Sequence, residues 1–188
     1  RQIVDGMAVM EMASSSGLPL VPVNERNPLL ATTYGVGDMI KDAIKRGCRE
    51  FIVGIGGSAT NDGGMGMLQS LGFRFFDENG KETGIGGKYT AEVRDIDASG
   101  AIPELKECVF KIACDVDNPL CGERGASHIY GPQKGASPED VLFLDAALKS
   151  FSEVTKEKLG ADCAEIPGSG AAGGLGYGSV SYTHLRAH

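Results

Sequence analysis

Apolar residues recur along the chain in two periods, and the places where the period changes divide it into elements. The run "MAVMEMA" (7–13) predicts a strand with Glu11 near its end, followed by a loop holding three prolines in "SSSGLPLVPVNERNPL". In "TTYGVGDMIKDAIKRG", Met39, Ile40, Ala43 and Ile44 recur at helical spacing, Thr33 is placed to cap the helix and Gly47 to end it. "EFIVGIG" is apolar on both faces and predicts a strand of a covered sheet. "DGGMGMLQSLG" opens the next helix, which Gly72 ends, and "FRFF" predicts a short strand closed by the turn "DENGK".

"GIGGKYTAEVRDIDASG" reads as loop, and "CVFKIACDV" as a strand with Asp115 where the run ends. "NPLCGERGASHIYGPQKGA" predicts a long polar connection with at most one short strand. "SPEDVLFLDAALKSFSEVTKEKLG" carries the clearest helix. Ser137 caps it, Pro138 sits in the first turn, and Asp140 occupies the capping-box position. Val141, Leu144, Leu148 and Phe151 form its stripe, and Gly160 stops it. "PGSGAAGGLGYG" reads as another glycine loop aimed at a helix, but "SVSYTHLRAH" has no amphipathic period. Residues 179–188 are therefore expected to be a non-native, poorly packed tail, with residues 1–178 as the folded region. Strands alternating with helices predict an α/β fold, with a mixed or mostly parallel sheet flanked by helices.

Composition narrows the function classes. A net charge of −7 gives a nucleic-acid role no electrostatic support. No apolar run approaches the length of a membrane span, and no signal peptide is visible, so a cytoplasmic protein is expected. The five cysteines are scattered without a CxxC pair and read as reduced thiols, and Cys114 and Cys121 lack zinc-site spacing. The 28 glycines are clustered, which points to specific loops.

One cluster, "GIGGSATNDGGMG" (54–66), admits three readings. The first is a phosphate cradle. Backbone N–H groups of Gly56 and Gly57 converge on an anion, Ser58, Thr60 and Asn61 add donors, and the following helix start adds partial positive charge. Asp62 could then hold magnesium or accept a proton. The P-loop pattern GxxxxGK[ST] is absent. The second is a dinucleotide site, in which Gly54, Gly56 and Ala59 fit G-x-G-x-x-A and Asp77 stands in the ribose position. The third is close helix–sheet packing, which leaves the polar "SATND" without a reason.

"VGIGGSATNDGGMGMLQSLGFRFFDENG" closely resembles the glycerate kinase family of the bacterial two-domain type. "DGMAVMEMASSSGL", "NPLLATTYGVGDMI", "CDVDNPLCGERGA", "YGPQKGA" and "PGSGAAGGLG" resemble further segments of that family, in that family's order. The resemblance covers 4–176. It implies the middle part of a two-domain glycerate kinase, with the family's opening and closing segments unmatched. An inactive fragment that keeps only an anion-binding or nucleotide-binding loop is the competing expectation.

The implied activity is ATP-dependent phosphorylation of D-glycerate, with 2-phosphoglycerate favoured over 3-phosphoglycerate as the product. ATP and Mg2+ are the implied cofactors. Phosphoryl transfer needs phosphate donors, a magnesium site and an oriented hydroxyl. Asp62 is the first choice for magnesium ligand or general base. Asp115 is the second, because open α/β sheets place ligands at the C-terminal ends of their strands. Lys134 is expected to neutralise transferring phosphate. Gly56, Gly57, Ser58, Thr60 and Asn61 form the cradle, with Asn118 and Arg124 as weaker phosphate or substrate contacts. Thr32 and Thr33 could bind substrate. Glu11 and His128 stay in the background, His128 as a structural residue.

Overall fold

The computed structural model describes residues 2–185. Its main sheet has four strands in the order β1 (Gln2–Val4), β2 (Met7–Glu11), β3 (Glu50–Gly54), β6 (Val109–Ala113). β1 runs antiparallel to β2, while β2, β3 and β6 are mutually parallel. A second sheet pairs β4 (Arg74–Phe76) with β5 (Asp95–Asp97) antiparallel. The helices are α1 (Ala13–Ser16), α2 (Tyr34–Lys45), α3 (Met65–Ser70), α4 (Ala126–Tyr130), α5 (Pro138–Leu159) and α6 (Ala171–Leu185). The fold is α/β, as the alternation predicts.

Period-2 alternation sets which side of each strand is buried. Ala8 and Met10 of β2 and Phe51 and Val53 of β3 face the core. Ile40 of α2, Met67 of α3, Leu71 just after it and Leu175 of α6 meet Val53, Phe110 and Ile112 there. On the other face Val9, Glu50, Val109, Lys111 and Ala113 are exposed. The sheet is thus buried on one face, not on both. The double-faced apolar run of β3 ends in residues only half-buried on their outer side, Ile52 and Gly54.

The "GASHIYG" segment is helix α4 where a short strand was the most expected. In α5 the capping box forms as predicted. The Ser137 hydroxyl accepts from the Asp140 N–H, and the Asp140 carboxylate accepts from the Ser137 N–H at 2.8 Å. Ser137→Ala should cost about 1 kcal/mol of stability, read by urea unfolding.

The expectation of poor packing from residue 179 onward fails where the structure can be compared with it. α6 is broken by left-handed residues at Ala172, Gly173 and Gly174, and in the helical part beyond them Ser179 and Ser181 are buried. Its period is invisible in hydropathy because glycines form the contact. A Cβ on Gly178 would stand 2.9 Å from the Gly64 Cα. Residues 186–188 of the expected tail lie outside the described residues.

Candidate active site

The C-terminal ends of β3 and β6 open onto a cleft of about 260 Å³. It is lined on one side by Ile55, Gly56, Gly57 and Ser58, and on the other by Cys114, Asp115 and Val116. Tyr130, Gln133, Lys134, Ala171 and Ala172 complete it. Parallel strands end here, and the loops leaving them converge.

The first loop behaves as a cradle. Gly57 adopts φ +70°, a left-handed conformation that glycine takes without strain. Among the described residues, the N–H groups of Gly56, Gly57 and Ser58 donate to no protein carbonyl, whereas their neighbours do: Ile55 N–H donates to Ala113 and Ala59 N–H to Ser16. Three successive uncommitted N–H groups across a left-handed residue make a concave anion site.

The rest of the loop turns inward, which corrects two expected contacts. Thr60 and Asn61 are buried. The Thr60 hydroxyl donates to the Ala172 carbonyl at 3.4 Å, and the Asn61 amide donates to the Ser127 hydroxyl at 2.9 Å. Neither side chain lines the cleft.

Asp62 is the larger correction. It is fully buried and absent from the cleft wall. Its Oδ2 accepts from the Thr33 N–H (2.8 Å), the Thr33 hydroxyl (2.9 Å), the Gly66 N–H (3.2 Å) and the Thr32 hydroxyl (3.3 Å). Its Oδ1 accepts from the Gly64 N–H at 3.1 Å. The Thr33 hydroxyl must donate to Asp62, because it accepts the Met67 N–H at 2.9 Å. Burial pushes the carboxyl above its ordinary range, and the donors from Thr33, Gly64 and Gly66 pull it back. Both carboxylate oxygens are engaged by protein donors. Asp62 therefore ties the start of α2 to the start of α3, and the Thr32 and Thr33 hydroxyls serve it instead of a substrate.

α3 begins at Met65, after Gly63 and Gly64 in left-handed conformations, and Asp62 takes its first N–H groups. The positive end of α3 is neutralised inside the protein and does not reach the cleft.

Lys134 does reach it. Its side chain is 2% exposed, and Nζ donates to the Thr60 carbonyl at 2.6 Å. Burial lowers its pKa to about 7, against the opposing pull of the Asp62 carboxylate. Asp115 is exposed on the opposite wall. Gly56, Gly57, Ser58, Asp115 and Lys134, distant in sequence, thus meet in one cleft.

Asn118 and Arg124 shape the wall from behind. Asn118 donates to the Arg124 carbonyl at 2.7 Å and accepts from the Tyr130 hydroxyl at 2.6 Å, so it holds Tyr130 in the cleft. Arg124 is exposed and pairs with Asp117 at 3.3 Å. Burial raises the Tyr130 pKa, with Cys114, Asp115 and Asp117 adding to the shift. His128 lies 3.9 Å from Asp145 and is not part of the cleft wall.

Tyr130, Gln133, Ala171 and Ala172 are wall residues that the sequence reading did not single out. Tyr130 and Gln133 flank Lys134 in "YGPQKGA", which is the signal that could have found them. Ala172 offered a weaker one. It sits at φ 54°, followed by Gly173 and Gly174 at φ 66° and 91°. A Cβ on Gly173 would fall 1.9 Å from the Thr60 carbonyl, so the second glycine loop packs directly on the back of the first.

The dinucleotide reading does not survive the topology. The strand after α3 leaves the main sheet to pair with β5, and Asp77 accepts the Asn79 and Lys81 N–H groups of its own turn. No helix of the described residues is long and apolar enough to cross a membrane.

Comparison with known proteins agrees with this geometry. The family model of the glycerate kinase family matches residues 2–188. The chain is 50% identical over 175 residues to the glycerate 2-kinase of Escherichia coli K12, covering 93% of this chain and 46% of that protein. It is 53% identical over 171 residues to the glycerate kinase of Haemophilus influenzae Rd, covering 91% of this chain and 45% of that protein. A crystal structure assigned as a glycerate kinase 2 from Salmonella typhimurium LT2 superposes with a TM-score of 0.91 at 44% identity, over 94% of this chain and 47% of that one. The chain spans about half the length of the curated relatives it matches. With sequence, fold and glycine loops in agreement over nearly all its residues, the chain belongs to the glycerate kinase family.

Proposed function

We propose that this cleft binds the phosphates of ATP during phosphorylation of a D-glycerate hydroxyl, with 2-phosphoglycerate as the product. The observation that carries the reading is the convergence of the uncommitted Gly56–Ser58 N–H groups, buried Lys134 and exposed Asp115 on one space. Phosphoryl transfer asks a protein mainly for positioning and for positive charge against the transferring group. The N–H groups orient phosphate oxygens, and the Lys134 ammonium balances charge as it shifts toward the leaving oxygen.

Family membership supports ATP and glycerate as the pair, and the name of the Escherichia coli relative favours the 2-phospho product. A magnesium ion accompanying ATP fits Asp115 alone of the two expected ligands. Among the described residues no three His, Cys, Asp or Glu side chains form a metal cage. Nucleotide-borne magnesium needs none, since one carboxylate, phosphate oxygens and water complete its shell. Bound there, the ion would supply further neutralisation of phosphate charge. Asp115 would hold it, and the exposed carboxylate remains the cleft's only acid among the residues lining it.

Incubating the chain with ATP, magnesium and D-glycerate, with 31P NMR of the products, tests the reading. The expected result is glycerate-dependent appearance of 2-phosphoglycerate. ATP binding without any phosphoglycerate would remove the activity from this chain and leave it an anion-binding loop only. A 3-phosphoglycerate signal would overturn the product assignment.

A further inference from the structure

The side chain of Lys134 is held in an unusual way for a cation. It is 2% exposed, and the neutral Thr60 carbonyl at 2.6 Å is the acceptor of its ammonium. Among the described residues no carboxylate forms an ion pair with it within 4 Å. An ammonium buried without a contacting carboxylate loses much of its preference for the charged form, and the more remote Asp62 restores only part of it. The same side chain lines the cleft beside three N–H groups that await an anion. An anion held by those N–H groups would add a second countercharge to that of Asp62.

We propose that anion binding in this cleft is proton-linked through Lys134: the empty cleft holds a mixture of amine and ammonium, and a bound phosphate fixes the ammonium. The proposal rests on the phosphate-cradle reading above. By linkage, whatever the phosphate does to the proton affinity of Lys134, the proton does to the phosphate affinity. Burial, offset in part by the Asp62 carboxylate, lowers the lysine to about 7, so both forms coexist near neutrality.

The titratable groups that face Lys134 come from three segments. Asp62, from the loop before α3, is held by five protein donor groups and opposes deprotonation. Asp115 and Cys114 follow β6, Tyr130 ends α4, and the phenol is raised above its ordinary range by burial. Cys114 is a thiol on the same wall, so the test separates it from Lys134.

The measurement is calorimetry of metal-free ATP binding at pH 8.0 in two buffers of different ionisation enthalpy, repeated from pH 7.0 to 8.5. ATP itself is fully ionised at the upper end, since phosphate second pKa values lie near 6. The expected result is uptake of about one proton per ATP at pH 8.0, with affinity falling about tenfold from pH 7.0 to 8.5. Cys114→Ser should keep both effects. Lys134→Arg should bind ATP with neither, because a guanidinium does not titrate.

Binding with no proton uptake and a flat pH profile would overturn the proposal and leave the cradle intact. Uptake that vanishes in Cys114→Ser would overturn it in favour of the thiol. No ATP binding at any pH would overturn the cradle reading, and this proposal with it. The two-buffer measurement on the unsubstituted chain decides the matter even if Lys134→Arg does not fold.

Discussion

Asp62→Asn should destabilise the fold by about 1–3 kcal/mol, the cost of leaving one donor of the buried Asp62 network without its acceptor. The carboxylate accepts from Thr32, Thr33, Gly64 and Gly66. Asparagine offers one acceptor oxygen and turns an NH2 group toward N–H donors. At least one backbone N–H, from Thr33, Gly64 or Gly66, is then buried without a partner, at about 1–3 kcal/mol. The charge that strengthened the remaining bonds is lost as well.

Typical domains are stable by about 5–15 kcal/mol, so a loss of that size is a large share of the total. Urea unfolding reads it directly. If the midpoint barely moves while phosphoryl transfer collapses, Asp62 is catalytic after all, and its hydrogen bonds have been misjudged. Thr33→Val provides the parallel: it removes the hydroxyl between Asp62 and the Met67 N–H, and should destabilise in the same direction.

Lys134→Met should do the opposite. Replacing a buried cation by an apolar side chain of similar volume removes its desolvation cost, which the Asp62 carboxylate only partly offsets. The orphaned Thr60 carbonyl offsets about 1 kcal/mol of this. The net expectation is a melting temperature equal to the parent's or higher. ATP affinity should nevertheless fall about 10- to 100-fold, the equivalent of one or more lost charge-assisted hydrogen bonds at about 1.5–3 kcal/mol.

A variant that is no less stable and yet fails to bind is the signature of a residue kept for function against stability. Thermal melts beside calorimetric titration with ATP give both readouts on one preparation. A melting temperature well below the parent's with ATP affinity unchanged would make Lys134 a packing residue and would remove the positive charge from the cleft.

The sequence by itself determined the order and type of most elements. α2, α5, β3 and β6 were legible because each carries its own period and its own end signals, and the Ser137–Asp140 box forms as written. It also determined the family, through long glycine-rich and acidic segments in one order, and it put Gly56, Gly57, Ser58, Asp115 and Lys134 on the candidate list.

What it could not determine was direction. Asp62 and Asp115 are both acids at the end of a strand–loop junction, and local pattern ranks the former higher. Only the packing of the Thr32–Thr33 turn against the start of α3 encloses Asp62 and satisfies it, while the parallel end of β6 leaves Asp115 open to the cleft. Thr60 and Asn61 turn inward for a similar reason: the second glycine loop lies across their backs, with Gly173 against the Thr60 carbonyl. α6 was missed because glycine-to-glycine contact leaves no hydropathy period to read. Side-chain chemistry is a property of residues, so sequence carries it. Which donors surround a carboxylate, and whether water can reach it, depend on segments about thirty residues apart being brought together, and that is decided only by the tertiary fold.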